Sequence, residues 1–579
     1  MVVYNTSSGC ALSVQRVRWT SLPIMGERDN EDAMIKKIPK YVVEVIGKLE
    51  ENGFEAFVVG GCVRDMLLDK IPKDWDVATS AKPEEILKLF PDSVYENEFG
   101  TVAVKIPNPK FQIPNKSQNP KNKIQNSKEE DKYIIVEITT YRVESKYSDK
   151  RHPDEIKFAK SLEEDLSRRD FTINAIALAK AEQIKENESE YRIVDPYNGR
   201  EDLSNKIIKA VGDANERFDE DALRMMRAVR FAVTLENQKS KISAKGGSAS
   251  GRKNRNDNAK LKNDKKEIQS WKIDNETFAA INKNASNLKY ISAERIKDEL
   301  EKIILSPAPA RGIELLHETG LLQYIIPEIE AGYGVTQSHH HYYGPYNTVY
   351  KHLVASLEKC PSEKLEVRLA ALLHDIGKPK TKRGAGENAT FYNHEYAGAK
   401  MAERILERLR FSRNIIDKVS LLVKNHMFYY NVDEVGEAGV RRVVRKVGLE
   451  NINDLIDVRI ADRLGSGVPK AVPYKLRHFK FMVEKVSRDA ISVKQLKING
   501  DDLIKKLALG PGPKIGAILD VLLMKVIDDP KLNNKKDLLK ISAELNKEDI
   551  GTLRNQAKNK IEEENKKEEE FMKKKYWVE

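Results

Sequence analysis

The chain has 579 residues, enough for three or four domains, with 33% charged residues, 7% aromatics, a formal net charge of +11 and a pI near 9.0. That balance suits a polyanionic partner such as nucleic acid, and the lack of any apolar run of spanning length speaks against a membrane protein. Three scattered cysteines, Cys10, Cys62 and Cys360, give no disulfide framework and no metal spacing, which points to a reducing, cytoplasmic setting.

Residues 1–30 lack the apolar core of a signal peptide and are expected to be disordered, unless the true start is Met25. From Ala33 to Asn52, Ile35, Ile38, Val42, Val43, Val45, Ile46 and Leu49 recur at helical spacing, with Pro39 suited to the first turn. Phe57–Val59 reads as a buried strand ended by Gly60-Gly61, Val63–Leu68 as the first turns of a helix, and Lys73–Ala78 as a second strand. Alternate strand residues share a face, so Asp74 and Asp76 are expected to point the same way. Two such carboxylates repel unless a hard divalent cation such as Mg²⁺ lies between them. The paired glycines let backbone approach a triphosphate, and the following helix start favours an anion.

Pro83–Phe90 reads as a helix capped by Thr79 or Ser80, and Phe99–Ile106 and Tyr133–Thr140 as strands joined by a solvated, Asn/Lys/Pro-rich hairpin extension. Tyr141–Ser167 reads as a mobile loop leading into a helix. In RRDFTINA, from Arg168, the paired guanidiniums suit a triphosphate and Asp170 suits a ribose hydroxyl. Ile193–Gly199 reads as a strand and turn of structural role. Glu220–Arg230 reads as one uninterrupted helix with Asp221 and Arg224 on neighbouring parts of its surface. A carboxylate there accepts from the amino group of cytosine or adenine, and a guanidinium donates beside it. Guanine and uracil put a carbonyl where the carboxylate needs a donor.

Residues 236–275 form a basic insertion with little apolar content, expected to be disordered. Ser292 is placed as the cap of the next helix. Downstream, His352 lies on a helix, and His374-Asp375 are embedded in an apolar helix that stops before Pro379. His394, His426 and Asp462 follow on later helices. Residues 408–509 are mostly helical with basic faces, Gly510–Gly516 is a turn, and residues 531–579 form a Lys/Glu-rich helical extension.

Gly-Gly-x-Val-Arg-Asp from Gly60, followed by Lys-Asp-x-Asp from Lys73, resembles the opening motif of bacterial tRNA CCA-adding nucleotidyltransferases and poly(A) polymerases. RRDFTINA, EDALRMMRAVR and IS-x-ERI extend that resemblance across roughly Ala33–Asp529. It implies an α+β multi-domain protein: a nucleotidyltransferase head with a small mixed β-sheet (31–182), a helical neck (191–327), an HD domain (328–470), a helical tRNA-binding tail (471–530) and the extension (531–579). It implies that Asp74 and Asp76 are catalytic and hold Mg²⁺, with Glu137 a candidate third carboxylate. Gly60, Gly61, Arg64, Asp65, Arg169 and Asp170 would bind the nucleotide. Asp221 and Arg224 would select CTP or ATP, with Arg227 and Arg230 facing phosphate or RNA. The segment before Arg168 matches the family's flexible element that repositions the RNA 3′ end. The order His352, His374-Asp375, Asp462 resembles the divalent-metal set of HD phosphohydrolases, with His394 and His426 as additional ligand candidates. The implied activity is untemplated addition of C, C and A to tRNA. Poly(A) synthesis, split CC- or A-addition, and a principal HD phosphohydrolase with a non-catalytic head stay open, as does the oligomeric state.

Overall fold

The computed structural model describes residues 38–95, 100–108, 133–145, 155–180, 191–236, 270–337, 347–384, 389–468, 470–487, 496–508 and 510–578. The expected disordered N-terminus, most of the hairpin extension, residues 146–154 of the loop, most of the basic insertion and the His339–His341 triplet lie outside the described residues. The chain divides into two compact units, residues 1–228 with 250–290 and residues 229–249 with 291–579. The boundary falls inside the helix Leu223–Thr234.

The first unit is built on strands β1 (Ala56–Val59), β2 (Trp75–Thr79), β3 (Ser93–Tyr95), β4 (Thr101–Pro107), β5 (Tyr133–Thr140), β6 (Arg142–Ser145), β7 (Glu155–Phe158), β8 (Ala177–Lys180) and β9 (Tyr191–Val194). A mixed seven-stranded sheet has the order β3-β4-β5-β2-β1-β8-β9. In it β2 and β5 run parallel, while β1 pairs antiparallel with both β2 and β8. β6 and β7 make a separate hairpin. The sheet includes β9, so it closes beyond residue 182. The helix Lys40–Glu51 starts after Pro39 and buries Val42, Val45, Ile46 and Leu49 on one face, against Val58, Val63, Val77, Val102 and Ile138. Removing that apolar area from water is what fixes the helix on the sheet.

Two local expectations are corrected. β2 begins at Trp75, so Asp74 stands exposed in the bend before the strand and only Asp76 is a strand residue. The cap of helix Pro83–Leu89 is Lys82, whose backbone N–H donates to Glu85 Oε2 at 2.7 Å. Thr79 is taken up elsewhere, its hydroxyl donating to Glu55 O at 2.6 Å.

Among the described residues the second unit is helical. Ala293–Ile304 and Pro309–Glu318 lead into Val349–Lys359, Leu365–Leu373, His394–Arg408, Arg413–Asn425 and Leu449–Gly465. Pro513–Asp528, Lys535–Leu545 and the start of Ile550–Tyr576 share one apolar core that includes Leu503, Ile518, Leu522, Leu538 and Leu553. The far end of Ile550–Tyr576 is tied back to the helix Tyr474–Ser487 by Lys485–Glu569 at 2.9 Å and Lys575–Glu484 at 2.8 Å. No helix among the described residues is long and apolar enough to cross a membrane.

Candidate functional site

In the head, β1 delivers the chain to Gly60, which has φ +81°, and the helix Gly61–Leu67 starts at once. A Cβ at Gly60 would lie 2.6 Å from Arg169 Nη1 and 3.4 Å from Asp76 Oδ2. The glycine is required twice, by its backbone conformation and by the guanidinium and carboxylate lying against it. Asp76 is half-buried beside them. Burial raises its pKa first and the Asp74 charge raises it further, against the pull of Arg169 and Arg64. Such a carboxylate has an electrostatic deficit that a cation would fill. Glu137 on β5 is the register partner of Asp76 on the parallel β2, so the two share a face of the sheet. Asp76 and Glu137 thus present carboxylate oxygens on one face of the sheet, and Asp74 lies near enough to raise the Asp76 pKa; oxygen donors of this kind are what a hard dication takes.

The arginines around this edge are held by internal carboxylates. Asp165, fully buried on the helix Leu162–Ser167, bonds Arg168 Nη2 at 2.6 Å and Arg169 Nη2 at 3.3 Å. Burial would raise the Asp165 pKa, but the two arginines hold it below the usual range. Arg64 donates to Asp65 Oδ1 through Nε at 2.9 Å and Nη2 at 2.6 Å, and to Asn174 Oδ1 through Nη1 at 2.8 Å. Asn174 Nδ2 donates to Asp170 Oδ1 at 3.0 Å. The sequence reading gives Asp165 and Asn174 no role of their own: Asp165 lies in the stretch read as a loop leading into a helix, and Asn174, within RRDFTINA, carries no charge to draw notice. Asp170, expected at a ribose, is 8% exposed and bonded within the protein.

The stretch expected to be one helix is two. The helix Ala214–Glu220 ends at Asp221, which has φ −141° and ψ 102°, and the next begins at Leu223. Asp221 Oδ1 accepts from Leu223 N at 3.0 Å, so side-chain capping overrides helix propensity here. Arg224 donates to Glu220 Oε2 at 2.7 Å and to the backbone of Arg168 at 3.1 Å, which joins this segment to RRDFTINA. Arg227 pairs with Asp170. Arg230, grouped with these at the sequence level, is instead paired with buried Glu299 at 2.6 Å. It lies one helical turn beyond Arg227, in the second unit, where this ion pair ties it to the helix Ala293–Ile304.

A second cluster lies in the helical unit. His374 is not inside a helix: Leu365–Leu373 ends just before it, and His374-Asp375 occupy the turn ahead of the short helix Lys378–Thr381, where Pro379 sits in the first turn. A Cβ at Gly377 would lie 2.3 Å from His394 O and 2.6 Å from Gly398 N. Only glycine lets helix His394–Arg408 approach so closely, and that approach brings His394 to Asp375. All six expected residues converge and are buried: His352, His374, Asp375, His394, His426 and Asp462. His352 Nε2 lies 3.0 Å from His374 Nε2, 3.2 Å from Asp375 Oδ2 and 3.4 Å from Asp462 Oδ1. Burial would depress the His352 pKa, but Asp375 and Asp462 lift it to about 9. Lys378, Gln337 and Arg459 went unnoticed in the sequence. Lys378 Nζ lies 2.6 Å from Asp375 Oδ2 and 2.6 Å from Gln337 Oε1, and Arg459 Nη1 donates to Asp462 Oδ2 at 2.7 Å.

A mixed sheet carrying a Gly-Gly turn and paired carboxylates, followed in the chain by a helical histidine–aspartate centre, defines a polymerase-type nucleotidyltransferase head joined to an HD domain. Family comparison agrees: residues 56–209 match the poly A polymerase head domain, residues 271–332 the probable RNA- and SrmB-binding site of polymerase A, and residues 348–466 the HD domain. The CCA-adding enzyme of Enterococcus faecalis (strain ATCC 700802 / V583) is 30% identical over 511 residues, 86% of this chain and 94% of that one. The chain belongs to the CCA-adding enzyme family. With the CCA-adding enzyme of Geobacillus sp. (strain WCH70) identity is 37% over 282 residues, 48% of this chain, and the match spans about half, 53%, of that relative's length. The crystal structure of the Bacillus stearothermophilus CCA-adding enzyme in complex with CTP aligns with a TM-score of 0.48 at 25% identity, covering 88% of this chain and 97% of that one.

Proposed function

We propose that this protein adds C, C and A to the 3′ end of tRNA from CTP and ATP without a nucleic-acid template, in the cytoplasm. The observation that carries the proposal is the register of Asp76 with Glu137 beside the Gly60 turn, with Arg169 and Asp76 both lying against the glycine. Asp74, Asp76 and Glu137 would hold Mg²⁺, which when bound lowers the pKa of the attacking 3′-hydroxyl and stabilises the leaving pyrophosphate. Gly60 and Gly61 let the backbone approach the triphosphate, and Arg64 and Arg169 offer forked donors to its oxygens. Asp165 and Asn174 keep those guanidiniums in place before substrate arrives, so little reorganisation is left for the reaction. Asp221 and Arg224 present an acceptor and a donor to the base, which selects cytosine and adenine.

The test is incorporation of labelled CTP and ATP into tRNA lacking its terminal CCA. Wild-type protein should incorporate both, and Asp76→Asn should bind tRNA yet incorporate neither. An Asp76→Asn protein of undiminished activity would remove the head from the chemistry. A second activity is favoured by the convergence of His352, His374, Asp375 and Asp462: metal-dependent hydrolysis of phosphate esters at the HD centre, independent of the head.

A further inference from the structure

Arg217 lies on the helix Ala214–Glu220 and meets both Asp221 and Arg224. Its carbonyl accepts from Asp221 N at 3.3 Å and from Arg224 Nη1 at 3.4 Å. Its guanidinium holds the carboxylate that Arg224 uses. Arg217 Nη2 lies 2.7 Å from Glu220 Oε1, and Arg224 Nη1 lies 2.7 Å from Glu220 Oε2. The two oxygens of Glu220 are thus divided between the two arginines.

The same guanidiniums are joined a second time. Carbonyls at the end of a helix lack intrahelical donors. At the end of Leu162–Ser167, two consecutive carbonyls are met from outside: Ser167 O accepts from Arg217 Nη1 at 3.3 Å, across 50 positions, and Arg168 O accepts from Arg224 Nη2 at 3.1 Å. Charge pairs three or four positions apart on an exposed helix contribute little. Here the side chains of Arg217, Glu220 and Arg224 are only 16%, 21% and 11% exposed, and both arginines are anchored at a second element. An arginine held at one point keeps much of its rotamer freedom, whereas choosing between bases needs a donor of fixed direction.

Resting on the assignment of base reading to Asp221 and Arg224, we infer that Arg217 is a positioning residue for nucleotide selection. Through Glu220 and Ser167 O it fixes the direction in which Arg224 offers its donors to the base. It acts through Arg224 and makes no contact of its own with the nucleotide.

The experiment measures kcat/KM for CTP, ATP, UTP and GTP in single-nucleotide extension of tRNA primers by wild type, Arg217→Gln, Arg224→Ala and the double variant. Glutamine keeps the helix propensity and the backbone carbonyl and removes only the guanidinium. Arg217→Gln should lower the preference for CTP and ATP over UTP and GTP about tenfold, since a small misplacement of a positioned group is costly in rate. Added to Arg224→Ala, it should lower that preference no further, because the two act as one unit. An Arg217→Gln protein that slows equally with all four nucleotides, its preference unchanged, makes Arg217 a structural link and overturns the inference. So does a further loss of preference in the double variant. Retained preference in Arg224→Ala overturns the base-reading assignment itself. Glu220→Gln leaves one amide oxygen for two guanidiniums and repeats the test with Arg217 in place. It should show the same loss, and an unchanged preference there overturns the inference even where Arg217→Gln fails to fold.

Discussion

Arg227 reaches the buried Oδ2 of Asp170 with two nitrogens, Nε at 2.8 Å and Nη2 at 2.6 Å. The other oxygen of Asp170 accepts from Asn174, which in turn accepts from Arg64. Arg64 of the first motif, proposed above to face phosphate, is therefore linked through two buried side chains to the helix that follows Asp221. Burial alone would raise the Asp170 pKa; Arg227, Asn174 and Arg224 hold it well below the usual carboxylate range. A depressed carboxylate contributes stability that is complete above its unfolded pKa, about 4, and is lost as pH falls through the lower folded value. Asp170→Asn should thus destabilise the protein at neutral pH by about 2 kcal/mol, less than a fully buried pair because Arg227 is 37% exposed. Denaturant unfolding should show a gap to wild type that is constant from pH 6 to 8 and narrows below about pH 4. A gap that widens on acidification would contradict this.

Gly60→Ala should displace Arg169 and strain the backbone, because φ is +81° and the added Cβ would lie 2.6 Å from Nη1. Strain of about 1–2 kcal/mol with a misplaced guanidinium should raise the KM for CTP and ATP about tenfold or more, with tRNA affinity unchanged. Steady-state kinetics and tRNA gel shifts separate the two effects.

Much of this site is legible in the residues, and the rest is hidden for definable reasons. The Gly-Gly turn, the β1 strand and the apolar face of Lys40–Glu51 follow from pattern because local preference and burial agree there. The helix break at Asp221 does not, since the flanking residues are all helix formers and one capping hydrogen bond decides it. Asn174 escapes because its partner Arg64 is fixed by tertiary contact across 110 positions, whereas Asp165 and Lys378 pair with charges three or four positions away in the chain, and only their burial in the fold sets those pairs apart from ordinary surface ones. The position of His374 just past a helix end follows from the need to turn Asp375 toward helices Val349–Lys359 and His394–Arg408 at once.

Asp221→Ala removes both the proposed base acceptor and the cap on Leu223 N. Loss of the cap should lower stability by about 1 kcal/mol. Loss of the acceptor should reduce the preference for CTP and ATP over UTP and GTP by about a hundredfold, measured as ratios of kcat/KM in single-nucleotide extensions. Retained discrimination would assign base selection elsewhere.

Asn174→Ala breaks the link between Arg64 and Asp170 without touching a charge. It should raise the KM for nucleotide about tenfold, with Mg²⁺ dependence unchanged, since a buried hydrogen bond to a charged group contributes about 1.5–3 kcal/mol. An unaltered KM would make Asn174 a packing residue only.

The most direct measurement is extension of three tRNA primers, ending before CCA, after C and after CC, with CTP and ATP supplied singly and together. The protein should add C, C and A in order, stop at A on every primer, and lose all addition in Asp74→Ala. Long A tracts on any RNA, A on the CC primer alone, C alone, or full addition by Asp74→Ala would contradict the assignment.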